Sequence, residues 1–117
     1  MAAAYLVYIT ARDEQEARRI GRALVERRLA ACANVVPRIA SCYWWQGELV
    51  EDSEALLLVK TLEPALPALE QTVKSLHSYT VPAISAVPVE RVHDPYLRWM
   101  REEMGAGPHE PGRSGGR

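Results

Sequence analysis

Cys32 and Cys42 are the softest side chains in this 117-residue sequence. A thiolate selects copper(I), zinc or mercury over hard cations. Imidazole is the usual nitrogen partner for such ions, and of the three histidines His77 is the best placed. It falls where a predicted helix finishes, at the end of the domain that also carries Cys42. A Cys42–His77 pair completed by a second copy of the chain is one candidate metal site, while Cys32 begins its strand at the opposite end. Each residue also has a plain structural reading. A free cysteine packs as a small buried residue, and a histidine at a helix C-terminus is favoured by the helix dipole. Glu51, Asp52 and Glu54 form an acidic run suited to hard cations. Without the spacing and glycine of a calcium loop, it reads as a solvated part of a hairpin. A second constellation is aromatic. Tyr43, Trp44, Trp45 and Tyr79 could line a cleft or anchor an interface. Lys60 with Gln46 is the best polar pair for an anionic ligand, so Trp45, Gln46, Lys60 and Tyr79 are the cleft candidates.

The elements that must position these groups follow from periodicity and turn chemistry. Val, Ile, Tyr and Trp cluster from Val35 to Trp45, which suits a pleated backbone. Gly47 then sits where a hairpin turn needs positive φ. Residues 29–61 therefore read as two strands of roughly 10 to 13 residues, against a usual mode of about 5 to 6, joined at Gln46-Gly47. Pro37 inside the first of them predicts a bulge or an unpaired edge. From Ala55 to Val59 both strand faces are apolar, so both must be covered. Tyr5 to Thr10 reads as the first strand. Asp13 caps a helix running to about Leu29, with Glu16 completing a capping box. A second helix starts near Pro64 or Pro67 and ends near His77. Pro82 and Pro88 bracket a fourth strand, Ala83 to Val87, and a last helix spans Asp94 to Glu103. Residues 1–104 are expected to form one domain. Residues 105–117, rich in Gly and Pro, are expected to be a disordered tail.

The resulting βαββαβ order with an extra helix predicts an α+β fold of ferredoxin-like type, an antiparallel sheet with two helices on one face. That arrangement leaves the other face open and lets the long hairpin overhang its shorter neighbours. Both features call for association with other copies. Cys32 and Cys42 are ten residues apart on one strand, roughly 33 Å at about 3.3 Å per residue, too far to bridge. Free thiols fit a reducing compartment. A net charge of −1 argues against nucleic acid and against a polybasic membrane patch. The apolar N-terminal stretch is too short to span a bilayer and lacks a signal-peptide pattern, so a cytoplasmic location is expected. No catalytic pairing is evident. Oxyanion-binding enzymes of this fold use a glycine-containing loop after the first strand, where this chain has Thr10-Ala11-Arg12-Asp13. A non-enzymatic role that requires no cofactor is expected.

The stretch LAACANVVPRIASCYWWQG (29–47), the acidic ELVEDSE, the apolar LLLVKT, the later LHSYTVPAISAVPV (76–89) and YLRWM (96–100) together resemble the CutA family, the divalent-cation tolerance proteins, over about Tyr5 to Met104. The chain departs from the family pattern at Ser78, where proline is usual, and at Thr80 and Ala83, where an acidic residue is common. The resemblance implies a homotrimer with sheets packed about a threefold axis and the hairpin reaching a neighbour. It also implies a role in tolerance of divalent cations, notably copper, by binding; for such a role Cys42, Cys32 and His77 are the expected ligands. The architecture is similar to the nitrogen-regulatory PII group, which implies an alternative: a regulator or scaffold binding a small effector in intersubunit clefts lined by Trp45, Gln46, Lys60 and Tyr79.

Overall fold

The computed structural model describes residues 3–105; the tail expected from Gly105 onward lies outside them apart from Gly105 itself. The elements in chain order are β1 (Ala4–Ala11), α1 (Glu14–Glu26), β2 (Cys32–Trp45), β3 (Glu48–Leu62), a short 3-10 turn (Glu63–Ala65), α2 (Leu66–Leu76), β4 (Ile84–Val89) and α3 (Asp94–Gly105). One sheet of order β2-β3-β1-β4 contains all four strands, and every pair is antiparallel.

The hairpin is longer than expected, with strands of 14 and 15 residues. Its turn has φ of 50° at Gln46 and 82° at Gly47. Two positive φ values in a two-residue loop match the right-handed twist of the flanking strands. Val36 pairs with Leu56 and Ile39 with Glu54, so β2 holds one extra residue around Pro37 and Arg38. This is the bulge that a proline without an N–H calls for. β1 pairs only as far as Ala55, so the hairpin projects beyond the sheet. The radius of gyration is 15.3 Å, against about 13 Å for a compact chain of 100 residues.

Side-chain alternation sorts the sheet into two faces. Val7, Ile9 and Ala11 pair with Val59, Leu57 and Ala55. All are buried, in one core with Ile20 and Leu24 of α1 and Leu69 and Val73 of α2. Gly21 permits the close approach of α1, because a Cβ there would lie 3.0 Å from both Ala33 Cβ and Leu57 Cδ1. On the opposite face α3 covers one end, where Met100, Leu97 and Tyr96 gather around Ala4, Leu62 and Val89. The remainder of that face, including Leu6, Tyr8, Val36, Leu56, Leu58 and Val87, is only half-buried or exposed.

Two boundaries differ from expectation for local reasons. α1 ends at Glu26 rather than near Leu29. Arg28 takes the left-handed conformation (φ 61°), and the N–H groups of Arg28 and Leu29 bond to Val25 O and Leu24 O. That is a Schellman stop with arginine where glycine is usual. The Arg28 guanidinium then donates to the carbonyl and carboxylate of Glu103, tying α1 to α3. β4 runs through Pro88 rather than ending before it. β4 is an edge strand paired only with β1, a place where proline is tolerated.

Asp13 caps α1 as expected, its Oδ1 accepting the Glu16 N–H at 2.8 Å. The Glu16 carboxylate turns elsewhere. It accepts the N–H of Arg12 at 2.9 Å and both the N–H and the hydroxyl of Ser78 at 3.0 Å. Glu16 is 1% exposed, and it clamps the start of α1 to the segment after α2. Burial raises its pKa, but the hydrogen bonds from Arg12 and Ser78 outweigh that and hold it below the usual 4.5.

Substitution Glu16→Gln replaces one of two carboxylate oxygens that together accept from three donors, and should cost about 2 kcal/mol in denaturant unfolding at fixed protein concentration. A carboxylate with a depressed folded-state pKa stabilises fully above its unfolded value, and that stability is lost as pH falls through the folded value. The wild-type protein should therefore lose stability progressively below about pH 4.5, and Glu16→Gln should lose less over that range. Gly21→Val should destabilise by about 1–3 kcal/mol in the same assay through overpacking against Ala33 and Leu57.

Candidate functional site

The segment that follows α2 is held at three points. Ser78 binds Glu16. His77, whose side chain is fully buried, has its Nε2 2.7 Å from Thr10 O and its Nδ1 accepting the Tyr79 N–H at 3.0 Å. These partners fix the tautomer: Nε2 carries the proton and donates, and Nδ1 is bare and accepts. Glu16 Oε1 lies 3.8 Å from Nδ1. The Tyr79 hydroxyl donates to Glu54 Oε2 at 2.7 Å, and its ring packs on His77 with centroids 4.7 Å apart. Burial, and next the bond to Glu54, push the Tyr79 hydroxyl well above its ordinary pKa of 10.0, so it remains a proton donor at any physiological pH. Glu54 is 7% exposed. The reading of residues 51–54 as wholly solvated is thus corrected at Glu54, which Tyr79 covers. No local signal separates Glu54 from its acidic neighbours, because its burial comes from a residue 25 positions away.

Cys42 pairs with Glu51 on the overhanging part of the hairpin, and its thiol is exposed. His77 sits at the level of Thr10, which pairs with Leu56. Five residues of β3 separate these levels, roughly 17 Å at about 3.3 Å each. Cys32 pairs with Lys60 at the far end of the hairpin, its thiol 3.8 Å from Asn34 Oδ1. One chain therefore does not bring Cys42, Cys32 and His77 together. Among the described residues no three Cys, His, Asp or Glu side chains converge to hold a metal ion.

The cleft candidates are also spread along the molecule. Trp45 and Gln46 occupy the hairpin tip, beside Trp44 at 72% and Leu49 at 57% exposure. Lys60 lies twelve residues of β3 from Glu48, the partner of Trp45. Its ammonium stands over the Tyr96 ring of α3, 5.5 Å from the centroid. It borders a cavity whose other polar wall, Arg91 and His93, sequence reasoning did not pick out for binding. Those two residues carry no spacing signal, since the loop between β4 and α3 places them.

Comparison with known proteins agrees with this geometry. Residues 5–103 match the family model described as CutA1 divalent ion tolerance protein. The chain is 55% identical over 100 residues to the divalent-cation tolerance protein CutA of Thermus thermophilus, covering 86% of this chain and 97% of that one. It is 46% identical over 95 residues to human protein CutA, covering 81% of this chain and 53% of the human one. Among solved structures, the Thermus thermophilus protein superposes with a TM-score of 0.82 at 54% identity, covering 86% of this chain and 97% of that one. A protein of Archaeoglobus fulgidus described as a periplasmic divalent cation tolerance protein gives 0.84 at 39% identity, covering 86% and 98%. With the sheet order, the long hairpin and nearly the whole described chain accounted for, this protein belongs to the CutA1 divalent ion tolerance family.

Proposed function

We propose that the chain acts as a cytoplasmic, non-enzymatic homotrimer in divalent-cation tolerance, binding copper or another soft cation through groups that neighbouring copies bring together. The observation that carries this reading is the placement of Cys42: an exposed thiol on a hairpin that overhangs its own sheet. A thiolate so placed needs further ligands, and a second copy is their source. Cys32 and His77 are the other proposed ligands. His77 would have to release Thr10 O or the Tyr79 N–H before either nitrogen could coordinate, so Cys42 and Cys32 carry the larger share.

Assembly follows from uncovered apolar surface. The open sheet face and the tip residues Trp44, Trp45 and Leu49 are large hydrophobic groups that a monomer leaves in water, the signature of an interface. The sheet also ends in two edges, at β2 and β4, which invite strand pairing. The second reading, a regulator with an effector in intersubunit clefts, needs the same assembly. Only a neighbour's tip could bring Trp45 and Gln46 near Lys60 or Tyr79.

Truncating an aromatic interface anchor costs about 2 kcal/mol or more. Trp45→Ala should therefore weaken the trimer about thirtyfold or more in sedimentation at decreasing concentration, and an unchanged trimer would place Trp45 outside the interface. Copper(I) titrated into reduced wild-type protein should bind in a fixed ratio per trimer by native mass spectrometry. Cys32→Ala combined with Cys42→Ala should abolish that uptake; undiminished binding by the double variant would remove both thiols from the site.

A further inference from the structure

Where the end of β4 meets α3, two adjoining cavities of about 350 and 520 Å³ open on the sheet face opposite α1 and α2. Both fall within the range of small-molecule sites, about 300–1,000 Å³. We infer that the smaller one binds a small organic anion, a carboxylate or phosphate head on an apolar body. Its floor is apolar, formed by Leu6, Val89 and Met100. Among the side chains lining it, Lys60, Arg91 and His93 are basic and none is a carboxylate. None of the three basic groups makes an ion pair with a carboxylate among the described residues, whereas Arg18, Arg19 and Arg22 of α1 all do. Basic groups gathered at a concave apolar surface and held in no ion pair raise the potential there. The Tyr96 ring beneath the Lys60 ammonium holds that charge at the cavity wall by cation–π attraction.

The neighbouring cavity limits what can bind. It is lined by Glu90 and Asp94 as well as by Arg91 and His93. A ligand carrying further negative charge into that space would meet two carboxylates, so the site favours one compact anionic head on the Lys60 side. Polyphosphates are disfavoured for the same reason. The body of the ligand rests on Leu6, Val89 and Met100, where an aromatic or branched aliphatic group removes apolar surface from water. Its lining comes from one chain, uses neither cysteine and does not depend on the cation-binding reading; because Leu6 also belongs to the face assigned to the assembly, the test uses the assembled protein.

Phenyl phosphate, benzoate, inorganic phosphate and neutral benzyl alcohol, titrated into the assembled full-length protein with backbone amide NMR as readout, test the inference. Phenyl phosphate or benzoate should bind saturably, one per chain, with shifts centred on Lys60 and on residues 89–100; the tighter of the two identifies the preferred head. Inorganic phosphate and benzyl alcohol should each bind at least tenfold more weakly, since each supplies only half of the recognition. Arg91→Gln, at an exposed position and so expected to fold, should weaken the aromatic anion about tenfold, as should Lys60→Gln. No saturable binding, equal affinity for benzyl alcohol, shifts centred on the hairpin tip, or affinity unchanged in both variants would each overturn it.

Discussion

The structure depends on how β3 is covered. Its residues Ala55, Leu57, Val59 and Thr61 are fully buried under α1 and α2, while Leu56 and Leu58, facing the other way, are only partly covered. A strand that is apolar on both sides is stable where both sides are dry. Among the described residues, one chain supplies two helices for one face and α3 alone for one end of the other. Further along β3, from Glu48 to Glu54, the strand pairs with β2 and with no other strand among the described residues. The hairpin, the open face and the exposed aromatic tip are thus three aspects of one deficit, and association with further copies is the proposed remedy.

The same economy explains why the polar residues that look most reactive are engaged in holding the fold. His77, Glu16, Tyr79 and Glu54 satisfy one another and the backbone around the segment after α2. Buried polar groups left unpaired cost about 1–3 kcal/mol each, so this network constrains where that segment sits relative to β1 and the hairpin. The groups left available for ligands lie elsewhere: the Cys42 thiol on the overhang, and the basic residues beside α3. The Cys42 thiol and these basic residues lie at opposite ends of the hairpin, while Cys32 pairs with Lys60.

Much of this was legible from residue types. Gln46-Gly47 announced the turn, Pro37 the bulge, and the two-sided apolar run at 55–59 the need for cover. Asp13 announced the first cap. Local chemistry misled where a distant residue decided the outcome. Glu16 carries the capping-box signature, yet Ser78 draws its carboxylate away from the Asp13 N–H. Arg28 stops α1 without a glycine, and its bonds to Glu103 help hold it there. Pro88 resembles a strand terminator and lies within β4, which among the described residues pairs with β1 alone and so tolerates a missing N–H on its other edge. The clustering of Lys60, Arg91 and His93 was not readable at all, since it depends on how α3 folds back over β1 and β3.

Mass is the most direct test of the account. Native mass spectrometry of the reduced, metal-free protein at low micromolar concentration should show an assembly, of three copies in the proposed reading, because the open face and the overhang leave too much apolar surface for one. A stable, soluble monomer at that concentration would contradict it, showing that a single chain tolerates the surface which this reading assigns to its neighbours.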